Sequence, residues 1–179
     1  MTELQWEIRS EQVAYSCEGF DVVNQQVRLP DGTETEFDYL SETESVVILP
    51  FNTDDEVVVI EEWRQAVERV NRGLPAGNLE PGEDPAEAVH RELKEETGHK
   101  AAEIEHLTTV EPANGYSDSV FHYFVAEGCA PAGDQSLDYD ESIEVATADY
   151  EDLLADIRDG EFPDGRSAFG ICYYELFGK

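Results

Sequence analysis

Three glutamates within five residues, Glu92, Glu95 and Glu96, stand in the run Arg91-Glu92-Leu93-Lys94-Glu95-Glu96. Carboxylate oxygens at this spacing suit hard divalent cations such as Mg²⁺ and Mn²⁺. Whether they do so depends on the surface they share. Asp84-Pro85-Ala86-Glu87 reads as a helix start, with Asp84 as cap, Pro85 in the first turn and Glu87 completing a capping box. Gly98 reads as its stop. With Val89 set to zero on a helical wheel, Ala86 falls at about +60° and Leu93 at about +40°, which marks the buried face. Glu87, Arg91 and Lys94 fall between about 140° and 200° and face water. Glu96, at about −20°, and Glu92, at about −60°, lie inside or beside the apolar stripe, and Glu95 lies at its edge, at about −120°. Buried like charges one turn apart are unfavourable unless a cation compensates them. A solvated acidic helix is the competing reading, because any helix of so acidic a chain carries several glutamates.

The elements that position this helix are strands. Val22, Val23, Val27 and Leu29 lead into the turn Pro30-Asp31-Gly32, and Phe37 and Tyr39 follow, which predicts a small antiparallel sheet. Strands are expected at 45–51, 56–61, 102–110, 119–126 and 143–148, with closing helices at 150–158 and 166–177. The Gly- and Pro-rich stretch 73–85 reads as one loop feeding the acidic helix. Interleaved strands and helices without repeats indicate an α/β layered fold, divided as an N-terminal sheet over 1–42 and a larger domain over 43–179.

Eleven Lys and Arg against forty-two Asp and Glu give a net charge of −31 over 179 residues. That balance argues against binding nucleic acid or an anionic membrane through a basic patch. The chain has only three lysines, and its carboxylates are spread along the whole length, as expected in a salt-rich cytoplasm of the kind extreme halophiles maintain. Cys17, Cys129 and Cys172 have no metal-ligand spacing and read as thiols of a reducing compartment. The apolar runs are too short to span a bilayer. Soluble and cytoplasmic is the expectation.

From Gly77 to His99 the chain reads GNLEPGEDPAEAVHRELKEETGH. This resembles the Nudix box, with Gly77, Glu83, Arg91, Glu92, Leu93, Glu95, Glu96 and Gly98 in register and His99 at the final aliphatic position. The resemblance implies an α/β/α sandwich and metal-dependent hydrolysis of a nucleoside diphosphate derivative. It implies Glu92 and Glu96 as main metal ligands, Glu95 sharing a metal or holding water, Glu83 as a looser contact, and the Ala76 carbonyl completing the shell. Arg91 would orient Glu95.

Outside the box, VVILPFNTDDEVVVIEEWRQAV, LPAG and the N-terminal sheet resemble the ADP-ribose pyrophosphatase branch. There the Arg64 position contacts substrate, Glu141 supplies a late catalytic carboxylate, and the N-terminal sheet exchanges between two subunits of a homodimer. From the residues alone, Arg64 is equally a surface arginine paired with Glu61 or Glu62. Gly73 stands where a glutamate often precedes LPAG. Pro112 resembles ADP-ribose members and Tyr116 resembles the tyrosine of dinucleoside-polyphosphate members, so that class and nucleotide sugars stay open. Retention of every box carboxylate argues against a non-catalytic nucleotide-sensing regulator.

At molar salt the screening length falls to roughly 3 Å, so the self-repulsion of this chain is largely removed. Its melting temperature is therefore expected to rise steeply from dilute buffer to molar KCl. A flat or falling midpoint across that range would show that the acidity serves another purpose.

Overall fold

A computed structural model describes residues 3–179 and divides the chain into two compact units. The first runs up to Glu44 and includes Val110–Val120. Its sheet is antiparallel in the order β1-β2-β3, with β1 at Glu7–Ser16, β2 at Asp21–Arg28 and β3 at Glu34–Ser41. The expected turn joins β2 to β3. Gly32 adopts φ +88°, and the Asp31 carboxylate accepts the Thr33 amide at 2.9 Å. That hydrogen bond holds the Asp31 carboxyl below its usual value. Asp118 ties the Val110–Val120 segment to the end of β3, accepting from the Ser41 hydroxyl and the Glu42 amide, each at 2.9 Å.

The second unit holds a mixed sheet. Its order is β11-β5-β4-β10-β8, with β4 at Ser45–Asn52, β5 at Val57–Arg64, β8 at His99–Lys100, β10 at Phe121–Pro131 and β11 at Ile143–Ala148. The strands β6 (Arg69–Gly73), β7 (Ala76–Asn78) and β9 (Glu103–Val110) pair with β5, β4 and β10. The central pair, β4 and β10, is parallel. Residues 45–50 of β4 are all buried, which fits the unbroken run Val46-Val47-Ile48-Leu49 and means that both faces of the strand are covered.

Alternation along these strands assigns one helix to each face. Val46, Ile48, Phe124 and Ala126 pack against Ala88, Val89 and Leu93 of α1, Pro85–Thr97. The intervening Tyr123 meets α3, Gly165–Phe177, where Gly170 lies so close to its ring that an added Cβ would come within 2.9 Å. Its hydroxyl donates to the Arg166 carbonyl at 3.2 Å. With α2 at Tyr150–Asp159 packed on α3, the unit is an α/β/α sandwich, as expected. Among the described residues, no helix is long and apolar enough to cross a membrane.

Two sequence expectations are refined. The stretch 73–85 is not wholly loop: β7 pairs with β4 through Val46–Gly77 and Val47–Ala76. A three-residue Ala-Gly-Asn strand shows no alternation to read. At the start of α1 the Asp84 carboxylate accepts the Ala86 amide at 2.8 Å rather than that of Glu87, so the cap forms without the reciprocal box.

The end of α1 is set by Gly98, at φ +70°, whose amide donates to the Lys94 carbonyl at 2.8 Å. A methyl group there would overlap the Gly133 carbonyl oxygen. Gly98→Ala combines a left-handed backbone with that overlap, and should lower stability by at least about 1 kcal/mol. The check is a lower denaturation midpoint at unchanged denaturant dependence.

Candidate active site

The site is built where α1 faces the start of β7. Glu92 and Glu96 are 8% and 3% exposed, on the same helix face as Val89 and Leu93. The wheel placed both there, and burial now rules out the reading of a solvated acidic helix. Gly77 makes room for Glu92: a Cβ at position 77 would fall on its carboxylate. The Ala76 amide donates to Glu96 Oε2 at 2.9 Å, so β7 supplies both the space for one carboxylate and a hydrogen bond to the other.

Their environments differ. Burial pushes the Glu96 carboxyl up to about 8; the Ala76 amide opposes this, and the charges of Glu92, Glu141 and Glu62 add to it. Burial also lifts Glu92, to about 6, against the pull of Arg91, with Glu95 and Glu141 raising it further. Glu141 therefore lies within electrostatic range of both. Its own carboxylate accepts the Asp138 amide at 3.0 Å on the turn before β11.

Arg91 does not simply face water. It makes a two-pronged ion pair with Glu83, Nε to Oε1 at 2.8 Å and Nη2 to Oε2 at 2.7 Å. It also reaches Glu92 at 2.6 Å, Glu95 at 3.1 Å and the Asn78 carbonyl at 2.9 Å. The loop from Gly77 to Pro85 folds over the helix flank that the wheel left open, and Glu83 is its clasp. The Arg91 guanidinium holds the Glu83 carboxyl down to about 2. Glu83 thus fixes Arg91, and Arg91 fixes Glu92 and Glu95.

Arg64 pairs with Glu62 at 2.7 Å and lines a cleft with Ile60, Asn71, Asp164 and Arg166. Glu62 is only 8% exposed, and its charge acts on Glu96. Nothing in the sequence points to this, because Glu61-Glu62 reads as a pair of surface acids, and Arg166 reads only as the start of a helix. Tyr116 belongs to the first unit and is exposed, with its carbonyl accepting the Leu40 amide at 2.9 Å. His90, on the outer side of α1, is exposed and takes no part.

The side-chain donors are all oxygens: Glu92, Glu96 and the partly exposed Glu95. They fit a hard divalent cation, because two desolvated carboxylates one turn apart need positive charge that Arg91 brings to Glu92 alone. Among the described residues no three such side chains already converge as ligands. Glu92 and Glu95 are held by Arg91, and joining Glu96 on one ion requires them to turn from it.

Because the Glu96 carboxyl stands above its unfolded value, its folded form is favoured when protonated. That stability is present at low pH and lost as pH rises toward about 8. In chelator, Glu96→Gln should lose part of this pH dependence and melt higher than the parent above pH 8. Equal melting curves at every pH would contradict the buried, uncompensated carboxylate.

Residues 42–166 match the model of the NUDIX domain. The ADP-ribose pyrophosphatase of Bacillus subtilis (strain 168) is 31% identical over 170 residues, 94% of this chain and 91% of that protein. The ADP compounds hydrolase NudE of Escherichia coli (strain K12) is 32% identical over 124 residues, 68% of this chain and 64% of that one. A crystal structure of an ADP compounds hydrolase superposes with a TM-score of 0.86 at 24% identity, covering 99% of this chain and 96% of that one, which speaks for the fold. The domain match spans well over half of the chain and takes in the whole of α1 and its loop: the chain belongs to the Nudix family.

Proposed function

We propose that this Nudix hydrolase cleaves the diphosphate of ADP-ribose to AMP and ribose 5-phosphate. The observation that carries the reading is the buried pair Glu92 and Glu96, set beside a cleft where Arg64 and Arg166 stand with Glu62 and Asp164, in a chain of net charge −31. A polyanion approaches such a chain only where positive charge is concentrated. The similarity to an ADP-ribose pyrophosphatase along nearly the whole chain supports the choice of substrate.

In this reading Glu92 and Glu96 hold Mg²⁺ or Mn²⁺, with Glu95 and the Ala76 carbonyl as further donors and Glu83 acting through Arg91. A divalent cation bound there neutralises phosphate charge and makes a bound water more acidic. Water adds to one phosphorus, the bridging oxygen leaves with the other product, and Glu141 takes the proton released by the water. Arg64 grips a phosphate oxygen by charge-assisted hydrogen bonds. Arg91 holds Glu92 and Glu95 by ion pairs that they give up to join Glu96 on the cation.

The working form in this proposal is a homodimer in a salt-rich cytoplasm. Supporting the dimer, every residue of β1 is exposed, including Ile8, Val13 and Tyr15, all more than half exposed. A second copy exchanging its N-terminal sheet would cover them. Dinucleoside polyphosphates are the alternative substrate class, on the likeness of Tyr116 to the tyrosine of members that act on them.

Purified protein in molar KCl with Mg²⁺ should turn over ADP-ribose, and EDTA should abolish the activity. Glu92→Gln and Glu96→Gln, which keep shape and remove ligand charge, should each lower kcat by at least about a hundredfold. Undiminished turnover in either variant would remove the metal assignment. A preference of about tenfold or more in kcat/KM for diadenosine polyphosphates, equal to roughly 1.4 kcal/mol, would replace ADP-ribose as the substrate.

A further inference from the structure

Arg166 is the anomaly in this chain's distribution of charge. With forty-two acids available, Arg9, Arg64, Arg72, Arg91, Arg158 and Lys179 stand in ion pairs among the described residues. Arg166 is half-buried, yet its guanidinium enters no ion pair and no hydrogen bond among the described residues. Five N–H donors are held in a fixed fork with nothing to receive them.

Its position is well determined. Arg166 opens α3, and three contacts pin the backbone there. The Asp164 carboxylate caps the helix, accepting the Arg166 amide at 3.3 Å and the Ser167 hydroxyl at 2.5 Å. Ser167, fully buried, accepts the Leu74 amide at 2.8 Å, which locks the first turn of α3 to the segment leading into β7. The Arg166 carbonyl accepts from Tyr123. Gly73 permits this fit, since a Cβ there would stand 2.9 Å from the Asp164 carboxylate and 3.1 Å from the Ser167 hydroxyl.

The side chain so placed lines a narrow cleft shared with Glu62, Arg64, Gly73 and the capping Asp164; its free volume of about 10 Å³ admits about one water, so an anion would meet the guanidinium from the open side. Its charge acts on Glu62, and that of Glu62 acts in turn on Glu96. Two arginines therefore flank one cleft next to the box carboxylates. One is already neutralised by Glu62 and the other has its donors free. A guanidinium presented on a rigid element, with donors unused by its own protein, matches the bidentate geometry of a phosphate or carboxylate. The substrate's diphosphate is the anion this site handles.

We propose that Arg166 is a substrate-binding residue, forming with Arg64 a guanidinium pair that holds the phosphate of the nucleoside diphosphate. The inference rests on the diphosphate chemistry proposed above but not on the identity of the leaving group. Arg166 supplies the free fork. Arg64, turned by Glu62, closes the same phosphate from the facing strand. Gly73 is the residue that lets α3 approach closely enough to bring the two together.

The test is the affinity of ADP, which carries the diphosphate and no leaving group, for chelator-treated protein in molar KCl. Arg166→Gln should weaken ADP binding at least about tenfold with an unchanged melting midpoint, and Arg166→Lys should restore part of the loss. In turnover assays the larger share of the Arg166→Gln defect should fall on KM. ADP binding no tighter in the parent than in Arg166→Gln overturns the proposal. So does a loss that comes with a lowered midpoint and no rescue by lysine, since that marks a purely structural role. Failure to hydrolyse ADP-ribose would reject that substrate and leave the ADP comparison standing.

Discussion

Glu92 and Glu96 carry like charge one turn apart on a helix face that must also pack against the sheet. Desolvating a carboxylate is costly, and desolvating two together is more so. The surrounding structure limits that cost in specific ways. Gly77, having no side chain, leaves the space that Glu92 fills, the Ala76 amide donates to Glu96, and Arg91 engages Glu92 while Glu83 holds Arg91 in place. What remains uncompensated is the charge of Glu96, and that residual cost is what a divalent cation would relieve. The fold around α1 is arranged to keep this pair buried and ionisable at once.

The same helix is a packing element. Ala88, Val89 and Leu93 fill the space over β4 and β10, so the carboxylates are positioned by the hydrophobic core itself. A site carried on a core helix shifts little without repacking, which suits chemistry that depends on the placement of oxygen atoms. The opposite face of the sheet does related work. Ser167 binds the Leu74 amide, and that segment continues into β7, which lines the carboxylates. Helices on both layers thus converge on one short strand.

Net charge sets a second constraint. A chain at −31 repels its own polyanionic substrate, so attraction must be local. The distribution of its few arginines follows from this. Arg91 serves the carboxylates, and Arg64 and Arg166 line the neighbouring cleft.

Much of this was present in the one-dimensional pattern. The helix period alone put Glu92 and Glu96 on the apolar side of α1, and Asp84 and Gly98 marked its ends to the residue, because caps and wheel angles are local properties. Short apolar runs between turn residues marked β4, β5, β10 and β11, their interleaving with helices indicated a layered α/β fold, and the sandwich was implied by the resemblance to the Nudix box. The sequence was silent on contacts between segments distant along the chain. β7 is too short and too small in side chain to announce itself. Arg91 looked solvent-facing until the Glu83 loop closed over it, and Glu62 looked like a surface acid until β6 and α3 packed beside it. Arg166 came to the cleft only because Gly73, more than ninety residues away, leaves room for the cap of α3. Periodicity determines which face a residue occupies, whereas only the packing of distant elements determines what that face meets.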